Sequence, residues 1–377
     1  MTEPIRVLQV FAQMNRGGAE TMIMNLYRNI DREKIQFDFI VHTNEKCAYD
    51  DEIVQLGGKI FRVPVYKGKN HLHYKKSWHM FFKEHPEYKI IHGHVRSTAA
   101  IYLKIANKYN RITIAHSHST SSGSGISAVV KNIMQYPIRN TADYLFACSK
   151  SAGEWLYGKK ACKKDNFYIL NNAIDAKKFT FNQDVSNKVR KEFQLEGKFV
   201  VGHVGRFNTP KNHSFLIDIF KVITDKNENS VLMLVGDGDM RKSIEKKVRD
   251  LELTDKVIFT GVRSDVPDLL QAINVFMFPS LYEGLGIAVI EAQAAGLPCI
   301  VANTVPKEVD ITDLVRFLPL SKTSVEWANE ILKYKSEIRY NTFNEIRNAN
   351  FDIEKNAKIL LKSYINIQKN IEVNHNY

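Results

Sequence analysis

Two carboxylates with seven residues between them, Glu283 and Glu291, are the strongest chemical signal in this chain. They lie in FPSLYEGLGIAVIEAQAAGLPCIVA, residues 278–302. The pattern predicts a short apolar strand over 275–278, a loop carrying Glu283, Gly284 and Gly286, and a helix over about 287–295. Gly296 suits the left-handed stop after a helix and Pro298 blocks its continuation, so 299–302 reads as the next buried strand. Strand, glycine loop, helix and strand make a βαβ unit whose loop opens at the carboxyl end of a parallel strand. The first free helix amides fall near Gly286 and Ile287, where unpaired N–H groups and the helix dipole attract an anion. The glycines let a phosphate or sugar come close to the backbone. Glu291, one turn further in, can accept hydrogen bonds from a pair of ribose hydroxyls. Taken alone, the pair also fits a loop glutamate and a solvated helix glutamate.

Other residues could join this chemistry. From Phe199 the chain reads FVVGHVGRFNTPKNHSFLIDIFKVI: a strand, then Gly205 and Arg206, then Lys211 opening a helix. Arg206 offers a planar fork and Lys211 a mobile point charge, and across one loop both can converge on a diphosphate. Near the N-terminus, a strand over 6–11 runs into Met14–Glu20 with Gly17 and Gly18, then a helix. This is again a phosphate-handling pattern, but it is not GxGxxG, which weakens a dinucleotide-dehydrogenase reading. Three His-x-His pairs occur: His71/His73, His92/His94 and His116/His118. Zinc needs three or four converging ligands, and the sequence supplies no such set, so no metal site is expected. Two of the pairs end successive predicted strands, at the edge where a doubly wound sheet binds its ligand.

These residues need a scaffold of alternating strands and helices. Apolar strands at 37–41, 60–63, 90–94, 112–116 and 143–149, with helical stretches between, argue for a doubly wound sheet. The pattern restarts at Phe199 and continues through Ser230–Val235 and Val257–Gly261. A chain of 377 residues suggests two domains, placed at 1–178 and 179–359. Residues 324–370 read as mainly helical, and order is expected to fade past about 371. No apolar run reaches the ~18 residues of a membrane span, the N-terminus does not read as a signal peptide, and Cys47, Cys148, Cys162 and Cys299 lack CxxC spacing. These features fit a cytoplasmic enzyme.

The net charge of +12 is uneven. Residues 1–185 hold 27 Lys+Arg against 16 Asp+Glu, whereas the rest holds 26 against 25, so only the first half calls for an anionic partner. No helix-turn-helix, zinc-finger or aromatic RNA-binding signature supports nucleic acid. An anionic membrane surface or a lipid pyrophosphate fits better. YKGKNHLHYKKSWHMFF, residues 66–82, mixes lysines with aromatics as a bilayer interface would require, or forms a basic loop leading into a core helix. The Ser/Gly-rich stretch from 119 suggests an acceptor-side loop.

EGLGIAVIEAQAAGLP resembles the Glu-x7-Glu motif of glycosyltransferase family 4, the retaining sugar transferases of the GT-B fold. The GGAE turn after the first strand and the Gly205-Arg206…Lys211 run are similar to that family as well. The resemblance implies an α/β GT-B architecture, two Rossmann-like doubly wound domains facing across a cleft, with the last helix, about 360–377, returning to the first domain. It implies transfer of a hexose from a nucleotide sugar, a UDP-sugar first, to a lipid-linked oligosaccharide in exopolysaccharide or capsule assembly, with no cofactor and no metal. Arg206 and Lys211 take the donor phosphates, Glu283 the donor sugar, and His118, with His116 the alternative, its far side. Glu291 takes the ribose. Leu285, Gly286 and Ile287 line the donor, Val262 borders the base, and Gly17, Gly18 and Gly205 lie beside the diphosphate. Asp237-x-Asp239 looks like the metal motif of the other transferase fold, but lies where this family has a strand-to-helix turn. Where the family often shows a glycine pair, this chain has Thr304-Val305-Pro306. A nucleotide-sugar epimerase and a non-catalytic nucleotide-sugar-binding protein are the alternatives on the same scaffold.

Overall fold

The computed structural model describes residues 3–119, 125–335 and 339–374. The chain divides into two compact units. The first runs to Ala173 and resumes at Ile353; the second spans 174–352. Both divisions fall earlier than the 178/179 and 359/360 expected from sequence. Ile174 forms a parallel bridge with Asp352 and donates its amide to the Phe351 carbonyl at 2.9 Å, which draws both ends of the connection into the second unit.

The first unit is built on seven parallel strands among the described residues: β1 (Ile5–Phe11), β2 (Ile35–Val41), β3 (Ile60–Arg62), β4 (Ile90–Gly93), β5 (Ile112–Ser117), β6 (Tyr144–Ala147) and β7 (Phe167–Ile169). Their order is β3-β2-β1-β4-β5-β6-β7, so the winding reverses between β1 and β4. Every residue of β2 is buried, including Asp38, as expected for a sheet covered on both faces. Asp38 is tolerated there because it accepts bonds from both Arg6 guanidinium arms, the Lys59 amide and the Tyr88 hydroxyl, at 2.5 to 2.8 Å.

The aromatic stretch at 66–82 contributes a core element on one face. It forms the helix His71–Glu84, which buries Tyr74, Trp78, Phe81 and Phe82 on one face, at i, i+4, i+7 and i+8. Ile353–Asn374, a 22-residue helix, completes the unit by burying Ile353, Ala357, Leu360, Tyr364 and Ile367 at helical spacing. Helical order thus continues to Asn374, past the expected limit near 371. Leu360 and Tyr364 are fully buried, and packing of this apolar stripe outweighs the polar composition of the last turns.

The second unit holds six parallel strands among the described residues: β8 (Phe199–Val204), β9 (Ser230–Val235), β10 (Val257–Gly261), β11 (Val275–Phe278), β12 (Cys299–Ala302) and β13 (Val315–Leu318). The order β10-β9-β8-β11-β12-β13 reverses between β8 and β11, and the loops carrying Arg206, Lys211 and Glu283 leave the carboxyl ends of those two strands. No helix among the described residues is long and apolar enough to cross a membrane.

Candidate functional site

In the second unit, Lys211 and Glu283 meet. Lys211 Nζ donates to Glu283 Oε1 at 2.7 Å, and both side chains are largely buried, 18% and 12% exposed. Backbone bonds bring their loops together. The Leu281 amide donates to the Pro210 carbonyl at 2.7 Å, and Asn212 Nδ2 to the Pro279 carbonyl at 3.2 Å. Lys211 Nζ also lies 4.7 Å from the centre of the Phe278 ring, a cation–π contact. From sequence, Phe278 is only the last apolar residue of a strand; its second role depends on the loop crossing above it.

Gly205 makes room for this lysine. A Cβ there would come within 3.2 Å of Lys211 Cδ and Cε and 2.9 Å of His203 Nε2. Gly236, at φ +134°, packs against the same turn, and a Cβ on it would lie 2.1 Å from the Gly205 carbonyl oxygen. Arg206 is 66% exposed and pairs loosely with Asp239, at 3.6 Å. That places Asp239 beside a cation rather than in a cluster of acids. Val262, beyond the end of β10, is 81% exposed and leaves its backbone approachable.

The helix Ile287–Ala294 starts at Gly286, in the left-handed region at φ +95°, with no side-chain cap on its first amides. A Cβ on Gly286 would come within 3.2 Å of Val305 Cγ1. Thr304-Val305 thus replaces the expected glycine pair with buried Val305 under Gly286 and a bond from Thr304 Oγ1 to the Ser280 carbonyl at 2.6 Å. Leu285 is buried beside it. Glu291 is partly exposed, yet the surrounding protein pushes its carboxyl up to about 7, against a pull downward from the Lys211 charge. A carboxyl held near neutrality next to uncapped amides and a lysine can accept bonds from hydroxyls while those amides receive an anion.

In the first unit, Gly17 precedes the helix Gly18–Asn29. The Glu20 carboxylate folds back over it, since a Cβ on Gly17 would lie 2.3 Å from Glu20 Oε2. The amino end of that helix therefore already faces a carboxylate of the same chain. Beside it, a cavity of about 240 Å³ opens where the winding reverses, lined by Phe11, Glu20, His94, Arg96 and Lys131 among others.

His92, His94, His116 and His118 gather at the ends of β4 and β5, with ring centroids 4.1 to 5.3 Å apart. His118 is partly exposed, whereas His116 is buried at 1%. Burial keeps all four neutral: His92 and His118 are pushed down to about 3, and His94 and His116 well below the usual range. One candidate ligand atom each from His92, His94 and His116 lie within 4.8 Å of one another. The sequence pattern did not predict this three-histidine group, whose ring planes are inclined to one another by 15° to 35°. Gln9 and Tyr364, from β1 and the last helix, hold this array and were not legible as partners, lying 355 residues apart.

The Ser/Gly-rich acceptor-side loop falls largely outside the described residues. The helix after it, Ile126–Gln135, exposes Val129, Val130 and Ile133, followed by exposed Tyr136.

Comparison with known proteins supplies the frame for these groups. Residues 16–178 match the model for Glycosyltransferase Family 4, and residues 185–334 that for Glycosyl transferases group 1. The chain is 34% identical over 371 residues to EpsF of Bacillus subtilis (strain 168), named as a glycosyltransferase, covering 95% of this chain and 96% of EpsF. It is 28% identical over 231 residues to the UDP-Gal:alpha-D-GlcNAc-diphosphoundecaprenol alpha-1,3-galactosyltransferase of Escherichia coli, covering 52% of this chain and 59% of that one. The crystal structure of Anabaena HepE in complex with UDP shares the fold, with a TM-score of 0.71, 18% identity, and coverage of 98% and 99%. With two parallel-sheet α/β units and family matches to each, the chain belongs to the glycosyltransferases of the GT-B fold.

Proposed function

We propose that this glycosyltransferase moves a hexose from a UDP-sugar to a lipid-linked sugar acceptor, with retention at the anomeric carbon. The observation that carries the reading is the second unit's cluster: Lys211 bonded to Glu283, next to uncapped amides at Gly286 and Ile287 and the Glu291 carboxyl. Lys211 and Arg206 hold the diphosphate and stabilise the negative charge that develops as the sugar leaves. Glu291 accepts from the ribose. Glu283, with the amides of Leu285, Gly286 and Ile287, orients the sugar; Gly205 and Val262 border the nucleotide. His118, with Gly17 and Gly18, has the role that the family resemblance assigns on the first unit. The two matched carboxylates are engaged in donor binding, so no enzymic nucleophile is assigned. The reaction is a front-face displacement in which the leaving phosphate takes the acceptor proton. None of these contacts calls for a metal.

UDP as the nucleotide is supported by the UDP named in the HepE structure and the UDP-Gal named for the E. coli relative. A lipid diphosphate acceptor is supported by the diphosphoundecaprenol in the same name and by the charge surplus of residues 1–185. Peripheral contact with an anionic inner membrane face is supported by the exposed Val129, Val130, Ile133 and Tyr136, beside exposed Lys131. The test is UDP release from a panel of UDP-sugars, with and without a membrane extract, for wild type, Glu291→Ala and Lys211→Ala. Release from one sugar, raised by the extract and lost in both variants, supports the reading. Conversion of the sugar without free UDP would favour an epimerase, and binding of UDP without turnover a non-catalytic protein.

A further inference from the structure

We propose that Gln9 is a positioning residue that sets the protonation pattern of the four-histidine array, and so presents His118 Nδ1 as a hydrogen-bond acceptor to a hydroxyl of the sugar substrate. The substrate half of this statement rests on the reading that His118 meets the sugar.

The argument begins at the Gln9 amide, where two chains of hydrogen bonds meet. Its Nε2 lies 3.1 Å from Tyr364 Oη and its Oε1 2.9 Å from His94 Nε2. An amide oxygen only accepts and an amide nitrogen only donates. In this orientation of the amide, His94 Nε2 carries the proton. Because the ring is neutral, His94 Nδ1 holds a lone pair. His118 Nε2, 2.7 Å away, must then donate to it, which leaves His118 Nδ1 as a lone pair. In the second chain, Tyr364 Oη accepts from Gln9 and donates to His92 Nδ1 at 2.6 Å. His92 Nε2–H then donates to His116 Nδ1 at 3.1 Å, which leaves the His116 proton on Nε2.

Turning the amide over reverses every bond in both chains, so that all four rings carry the proton on Nδ1. The array thus has two fully bonded proton arrangements, and the orientation of one glutamine selects between them. The chain ends agree with this account. His116 Nε2 and His118 Nδ1 are both buried and without a hydrogen-bond partner among the described residues. One is a donor and the other an acceptor, on rings stacked at 4.1 Å. A hydroxyl bonded to His118 Nδ1 restores the missing bond. An ion on His92, His94 and His116 would instead have to break bonds to Tyr364, Gln9 or the neighbouring rings.

The test is long-range ¹H–¹⁵N NMR of the full chain with ¹⁵N-labelled histidine, the rings assigned by single replacements. In wild type, His118 Nδ1 should show the resonance of an unprotonated nitrogen and Nε2 that of a protonated one. In Gln9→Leu the His118 signals should move to an average of the two tautomers, and the KM for the UDP-sugar should rise about tenfold through loss of one oriented bond. Gln9→Glu, which keeps an acceptor oxygen for His94 Nε2–H, should restore both. A proton on His118 Nδ1 in wild type overturns the proposal without any variant. So does a stoichiometric metal ion in the purified protein that shifts His92, His94 and His116. So does an unchanged tautomer in Gln9→Leu. If the tautomers are as expected but His118→Ala leaves turnover kinetics unchanged, the sugar contact alone is refuted.

Discussion

Glu291 should make the empty enzyme less stable as pH rises, and replacing it should stabilise the fold. Burial lifts its pKa from the ordinary 4.5 to about 7. At 1.36 kcal/mol per pH unit, holding this carboxyl ionised costs the folded state about 3 kcal/mol. The sign follows from proton counting. Between pH 4.5 and 7 the folded state binds more protons than the unfolded one at this site, so stability falls as pH rises through that window. The cost is absent below 4.5 and fully present above 7. Glu291→Gln removes the charge and keeps the shape, so its melting temperature should exceed wild type by several degrees at pH 8 and match it at pH 4.5. Bound UDP changes the balance. Ribose hydroxyls donating to the carboxylate favour the ionised form, so binding at pH 6 should release close to one proton and binding at pH 8 none, as read by calorimetry in buffers of different ionisation enthalpy. An equal melting-temperature difference at both pH values would refute the linkage argument. Proton release that persists in Glu291→Gln would show that another group is responsible.

Lys211→Ala should lower sugar transfer by about 10²- to 10³-fold, as loss of a preorganised charge at the leaving group does, in the UDP-release assay. Gly286→Ala forces an L side chain to φ +95° and against Val305, so chemical denaturation should show a loss of about 1–2 kcal/mol. The pair Val130→Asp and Ile133→Asp should abolish co-flotation with anionic vesicles and leave the circular dichroism spectrum unchanged, because both side chains are exposed.

The fold was legible because parallel strands buried on both faces leave long apolar runs between glycine turns, as at 275–302 and 199–205. Glu283 and Glu291 were legible because loop, helix start and carboxylate are set within one βαβ unit, where spacing determines geometry. The aromatic run at 66–82 was ambiguous because a helix that buries Trp78 and one that lies on a bilayer share a composition; only packing within the first unit, where Trp78 stacks on Tyr102, decides which face is buried. The exposed Val129, Val130 and Ile133 of Ile126–Gln135 were not legible, since apolar residues after a Ser/Gly-rich loop do not show from sequence whether they face solvent or core. Gln9 and Tyr364 could not be paired from sequence, because nothing local marks a contact across 355 positions. The four histidines stood out, but their bonding depends on ring orientation, which sequence does not encode locally.

The return of the last helix to the first unit has a consequence for biosynthesis. Residues 174–352 are contiguous, so they can bury their own core as soon as they have left the ribosome. The first unit, although translated earlier, waits with an open apolar groove until Ile353, Ala357, Leu360, Tyr364 and Ile367 arrive. Until then Gln9 and His92 lack the Tyr364 hydroxyl that joins them. The nascent first half therefore keeps this groove uncovered throughout synthesis of the second, and a chain cut short after residue 352 and released would hold one complete unit and one incomplete.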